Sequence, residues 1–248
     1  MSLPVKGLVA YFPLDGDASD HSDYGHVGKV SGTTPSEDRF GKADGAFRFN
    51  GVDDFIEVGP SAALNTYKMD VISFSLWGYI ENYRFNNRML TLSSQDDGFS
   101  IDLTAQNKRL VFKNHTGWLK EDAMALSDVV ELNQWQHIVV MMNFPLKSCF
   151  MYINGKLADI STGKSSVRPV QPILTIGNNP SSRGWRSFEG RLDDIRVYNR
   201  ELFEWEITAL YREKGFGNEP VPVTYHHIFN HENLGYNGQV ASTNWRHF

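Results

Sequence analysis

Short β-favouring runs, each closed by Gly, Asn, Asp or Pro, recur along almost the whole chain, and this rhythm confines it to an all-β architecture. The runs fall at residues 8–14, 46–50, 55–58, 71–80, 88–93, 99–103, 109–113, 135–143, 149–154, 156–160, 173–177 and 190–198. Only residues 201–213 carry a helical stripe, formed by Leu202, Trp205, Ala209 and Leu210, with Gly215 placed as a stop. Many strands with one short C-terminal helix predict a two-sheet antiparallel jelly-roll sandwich over residues 1–217. In the run Phe99-Ser100-Ile101-Asp102-Leu103 apolar and polar residues alternate, which predicts a sheet with one face on the core and one in water. Asn154-Gly155 is the strongest turn signal, because both residues accept positive φ and so close a tight hairpin.

Composition narrows the function classes. Against 29 Asp and Glu stand 24 Lys and Arg, a net charge of −5, where a nucleic-acid binder needs a basic surface. The longest apolar run, residues 138–142, is far shorter than the roughly 20 residues that span a bilayer. The one cysteine, Cys149, excludes an internal disulfide framework and reads as an inert buried thiol. Met1-Ser2-Leu3-Pro4 shows no charged and then apolar leader. After the linker at residues 218–222, the extension at 218–248 holds Phe229, Tyr236, Trp245 and Phe248, which predicts that it packs on the sandwich. Composition leaves the oligomeric state open.

Seven motifs in order then resemble the laminin G–like domains of the concanavalin A-like lectin/glucanase group, a relative of the pentraxins. They are GLVAYFPLD at residues 7–15, AFRFNGVDDFIEV at 46–58, ISFSLW at 72–77, WQHIVV at 135–140, YINGK at 152–156, ILTIG at 173–177 and GRLDDIRVYNR at 190–200. The resemblance covers residues 7–215 and implies a jelly-roll binding module for glycans or extracellular proteins, outside the cell or in the periplasm. It departs at Phe203, which stands where the family usually opens its helix with a Ser cap. The resemblance also implies one structural calcium, with Asp20 as a ligand and Asp53 or Asp193 as partners. The alternative is that these carboxylates cap turns.

A glycan site needs aromatic faces for stacking and planar polar groups for hydroxyls. Two polar loops offer both. One holds Asn178, Asn179, Arg183 and Trp185; the other holds His115 and Trp118. A third loop carries Tyr83 and Arg84. Trp77 and Trp135 sit inside strand runs and read as core. An enzyme reading finds little. The paired-carboxylate strand motif of glycosidases in this fold group is missing, and so is the Gly-x-Ser-x-Gly elbow. Gly163-Lys164-Ser165 lacks the rest of a phosphate loop, and His226, His227 and His231 have no Cys and only Glu232 near them. The sequence therefore predicts a non-catalytic module with carbohydrate as the leading ligand. A protein–protein or adhesion module is the alternative, and a hydrolase or lyase comes third.

Overall fold

The structure, a computed structural model, describes residues 2–83, 87–94, 97–105, 107–116, 120–163, 168–169, 172–178 and 186–215. The extension at 218–248 lies outside them.

Among the described residues, fifteen strands form two antiparallel sheets: β1 (Leu8–Phe12), β2 (Gly28–Ser31), β3 (Thr34–Ser36), β4 (Ala46–Asn50), β5 (Phe55–Val58), β6 (Val71–Ile80), β7 (Asn87–Ser94), β8 (Asp97–Thr104), β9 (Arg109–Thr116), β10 (Lys120–Val129), β11 (Trp135–Asn143), β12 (Ser148–Ile153), β13 (Lys156–Ser161), β14 (Ile173–Ile176) and β15 (Glu189–Tyr198). The larger sheet runs β13-β12-β11-β6-β15-β4-β3, with β1 also paired to β15. The smaller runs β10-β9-β8-β7-β14-β5-β2. The first and last strands are neighbours, with Tyr11 opposite Arg196.

Inward positions on both sheets supply one shared core. Phe49, Phe74, Leu76 and Ile138 from the larger sheet meet Leu90, Phe99, Ile101 and Phe112 from the smaller, all fully buried. Phe99 stacks on Phe112 at 5.7 Å between ring centroids, and Phe74 packs against Phe112 at 6.3 Å. Cys149 is a buried thiol in this core. Asn154 (φ 52°) and Gly155 (φ 73°) close the hairpin between β12 and β13 as the sequence predicts.

Gly177 ends β14 at φ +84°, donates its N–H to the Met89 carbonyl at 2.8 Å and accepts from Phe188 N–H at 2.8 Å. A Cβ there would drive into the buried Phe49 ring. Gly177→Ala is therefore expected to cost about 1–3 kcal/mol through overpacking and backbone strain, read as a lower urea midpoint. An unchanged midpoint would show that this corner is loose.

The helix α1 spans Glu204–Tyr211, shorter than expected, and a 3-10 turn at Glu213–Gly215 follows. Phe203 supplies no side-chain cap; instead the Glu206 carboxylate accepts the Phe203 N–H at 2.9 Å and is clamped by Arg200 with two bonds of 2.7 Å. Leu202, Ile207 and Leu210 cover Val139, Met141, Phe150 and Tyr198, making a second core on the outer face of the larger sheet. Trp77 is fully buried on that outer face and stacks on Tyr211, while Trp135 is half-buried rather than core.

The strands that sequence patterning misses are β2, β3 and β10. All three are edge or near-edge strands with a single covered face or none, so no apolar alternation marks them. β10, KEDAMALSDV, even carries strong helix formers, and its pairing with β9 overrides their preference.

Candidate functional site

The outer face of the smaller sheet is polar. With Leu90, Leu92, Ile101, Leu103, Phe112, Leu174 and Ile176 turned into the core, alternation turns Thr91, Ser93, Ser100, Asp102, Lys113 and Thr175 outward. Strand register lays Thr175, Thr91, Ser100 and Lys113 in one row across four strands. The sequence predicts a wet face here. The structure overturns that: Thr175, Ser100 and Asp102 are 0% exposed.

Buried polar groups need partners, and Arg88, Asp102, Lys113, Ser100, His115 and Thr91 have them on this face. Arg88 grips Asp102 with two bonds, at 2.8 and 3.0 Å, and Lys113 Nζ lies 3.0 Å from the same carboxylate. Burial alone would push the Asp102 carboxyl up, but the Arg88 and Lys113 charges hold it well below the usual carboxylate range. His115 Nε2 lies 2.6 Å from Ser100 Oγ, and Thr91 Oγ1 donates to the Asn178 carbonyl at 3.2 Å. Thr175 Oγ1 is buried without a hydrogen-bond partner, a condition that costs about 1–3 kcal/mol.

Register also places the two polar loops. His115 stands opposite Gly98, and Ser93 pairs with Gly98 on its other side, which puts His115 at the end of the sheet where β14 begins. Asn178 follows β14 at the opposite end. His115 and Asn178 therefore stand at opposite ends of this face, with the polar row between them. Both His115 (6% exposed) and Asn178 (2%) are buried, so they belong to the floor of this face. Tyr83 is a structural residue: it packs against the core, its hydroxyl donates to the Val130 carbonyl, and Lys108 Nζ lies 5.3 Å from its ring centroid. Arg84, Trp118, Asn179, Arg183 and Trp185 lie outside the described residues.

The three carboxylates expected to hold calcium are engaged separately. Asp193 pairs with the buried Arg39, Asp53 accepts from Asn50 Nδ2 at 2.9 Å, and Asp20 accepts from the N–H groups of Tyr11, Ser22 and His26. Among the described residues no group of three or more His, Cys, Asp and Glu is placed to hold a metal ion. As placed, these carboxylates serve turn-capping and ion-pair roles: both oxygens of Asp20, Oδ1 of Asp53 and Oδ2 of Asp193 face hydrogen-bond donors.

What sequence patterning does not show is the charged cluster on the outer face of the larger sheet. Arg39 bridges Asp193 and Asp194, the latter at 2.6 Å, and lies over Trp77 at 4.6 Å. Arg196 joins Asp194 at 3.1 Å to Glu213 at 3.0 Å. Burial and the neighbouring Asp194 push the Asp193 carboxyl up. His137, against Trp77 at 5.1 Å, bonds Ser75 Oγ through Nε2 at 2.9 Å. Burial first, then the charges of Arg196 and Arg39, bring its imidazole down to about 3. Since the folded value lies below the unfolded one of about 6.5, stability from neutral His137 is complete above pH 6.5 and is lost as pH falls toward 3. The expected loss approaches about 1.4 kcal/mol per pH unit in that window. His137→Gln should flatten this slope in denaturation curves taken at several pH values. An equal slope in both proteins would rule the histidine out as its source.

Two antiparallel sheets around one core, with a buried polar outer face on one of them, define a lectin-type jelly-roll sandwich. The family model described as the concanavalin A-like lectin/glucanases superfamily (Laminin_G_3) matches residues 50–208, and the chain belongs to this superfamily. No curated protein sequence matches it. Among solved structures, it is similar to domain 4 of AbnA, a GH43 extracellular arabinanase from Geobacillus stearothermophilus in complex with arabinotriose. That match has TM-score 0.66 and 19% identity, covering 82% of this chain and 98% of that one. It is also similar to the binding domain of botulinum neurotoxin DC in complex with SialylT (TM-score 0.65, 17% identity, 84% of this chain and 51% of that one). A third similar structure is the binding domain of Paraclostridial Mosquitocidal Protein 1 (TM-score 0.65, 21% identity, 83% and 52%). The chain thus spans about half the length of the two toxin chains.

Proposed function

We propose that this chain is an extracellular carbohydrate-binding module whose ligand is held by the loops that follow β9 and β14, with the buried polar face of the smaller sheet as their base, at a site without catalytic groups. The observation that carries this reading is the paired polar floor, Arg88–Asp102–Lys113 with Ser100–His115 and Thr91–Asn178, which runs from His115 at one end of the face to Asn178 at the other. A sheet face locked by charge pairs and buried hydrogen bonds gives loops a rigid base, and a rigid base lowers the ordering cost of binding. Trp185 and Trp118 would then stack on sugar rings, while Asn179 and Arg183 bond hydroxyls or acidic groups. The likeness to a domain of similar size solved with arabinotriose supports the ligand class.

A glycan array probed with the purified chain, with calcium and again with EDTA, tests the reading. The expected result is binding to a defined set of oligosaccharides that survives EDTA, reduced at least about tenfold by Trp185→Ala, which corresponds to about 1.4 kcal/mol. Binding abolished by EDTA would restore calcium to the site and overturn the ligand-free reading of Asp20, Asp53 and Asp193. A blank array would move the function to a protein partner.

A further inference from the structure

We propose that Asp20, His26 and Ser61 form a proton relay that makes Ser61 a nucleophile able to take an acyl group from a carboxylic ester. The three lie beside the β5–β2 edge of the smaller sheet, His26 just before β2 and Ser61 just after β5, and no sequence motif links positions 20, 26 and 61.

The relay follows from which atom accepts at each step. The Asp20 carboxylate takes N–H bonds from Tyr11 (2.8 Å), Ser22 (2.8 Å) and His26 (3.0 Å), and the Ser22 hydroxyl at 2.8 Å. Burial pushes this carboxyl up, but those donors outweigh it and hold the group below the ordinary carboxylate range, so it is ionised. An ionised carboxylate can only accept. His26 Nδ1, 2.5 Å from Asp20 Oδ2, must therefore carry the ring proton, and Nε2 is left as an acceptor. Nε2 lies 2.8 Å from Ser61 Oγ, so the serine hydroxyl donates to it. This is the orienter–base–nucleophile order that activates a serine.

Ser61 also caps a short 3-10 turn, accepting the Ala63 N–H at 3.1 Å. That duty does not use up the oxygen. A hydroxyl has one proton and two lone pairs. With the proton toward His26 and one lone pair on Ala63, one pair remains for attack. Access is from the serine side: Ser61 is half-buried, while the His26 side chain is 7% exposed and carries the exposed Tyr24 ring stacked on it at 6.0 Å.

In the reaction the remaining lone pair of Ser61 Oγ attacks the ester carbonyl carbon while the hydroxyl proton passes to His26 Nε2. The tetrahedral adduct collapses, the carbon–oxygen bond to the leaving alcohol breaks, and that alcohol takes the proton from His26. Water then attacks acyl-Ser61 with the same base and releases the acid, so ester and water become acid and alcohol. Base activation of this kind contributes about 10²–10⁴-fold, so a reactive aryl ester is the appropriate probe.

The full chain is incubated with p-nitrophenyl acetate, nitrophenol release is followed, and the peptides are mapped by mass spectrometry. The expected result is an acetyl group on Ser61 in the native chain. Ser61→Asn, which keeps a good capping residue, should show none. His26→Gln should acetylate position 61 at least about 100-fold more slowly. The native chain unfolded in urea serves as the second control and should lose the selective adduct. Absence of acetyl-Ser61 from the native chain, an equal rate in folded His26→Gln, or equal labelling in urea would each overturn the proposal. Glycan binding does not enter any of these readouts.

Discussion

Replacing Arg39 with Met is expected to lower the unfolding free energy by about 3–5 kcal/mol, the range for removing one partner of a buried ion cluster. The Arg39 side chain is 1% exposed, and its guanidinium is shared between Asp193 and Asp194, with Glu213 3.7 Å away. Met fills much of the same volume over Trp77, so the loss reports charge rather than a cavity. Without the guanidinium, adjacent carboxylates at Asp193 and Asp194 face each other in a closed site, with Arg196 still beside only one of them. A second change, Asp193→Asn, removes one of these charges. The double variant should therefore lose clearly less than the sum of the singles, a coupling of roughly 0.5–3 kcal/mol by denaturant titration. Additive losses would mean that Arg39 acts through packing on Trp77 and Phe40 alone.

Asp102→Ala should produce an effect of the same order, about 3–5 kcal/mol, on the opposite face of the molecule. Asp102 is 0% exposed, and its one negative charge is shared by Arg88 and Lys113. Arg88 itself is 1% exposed, so loss of the carboxylate leaves a guanidinium buried beside an ammonium. Lys113→Ala should cost less, because the two-bonded Arg88–Asp102 pair survives it. If the polar floor is what holds the loops, glycan affinity should fall in Asp102→Ala even at temperatures where that protein remains folded. Retained affinity with reduced stability would separate the floor from the ligand site.

The strands that bury both faces or one clean face were legible in sequence: the run at 71–80 and the Asn154-Gly155 hairpin stand where patterning places them. Patterning works there because inward positions must be apolar and turns must tolerate positive φ. It failed at β10, where pairing rather than propensity decides, and at the wet face, where charge pairs permit burial of Ser100 and Asp102. The site residues were legible only as loop chemistry. Asp193 invites a calcium reading because nothing near it in sequence reveals Arg39, 154 residues away. The Asp20–His26–Ser61 chain is hidden for the same reason, since Ser61 reaches His26 across 35 residues of sequence. Long-range pairing of polar side chains leaves no periodic trace.

The most direct test of the account is to locate the ligand by hydrogen–deuterium exchange, using an oligosaccharide selected on the array. The account predicts slower exchange on β7, β8, β9 and β14 and in the loops that follow β9 and β14, with β11, β12 and β13 unchanged. Slower exchange confined to β11–β13 or to the helix α1 would place the ligand on the other sheet and contradict it.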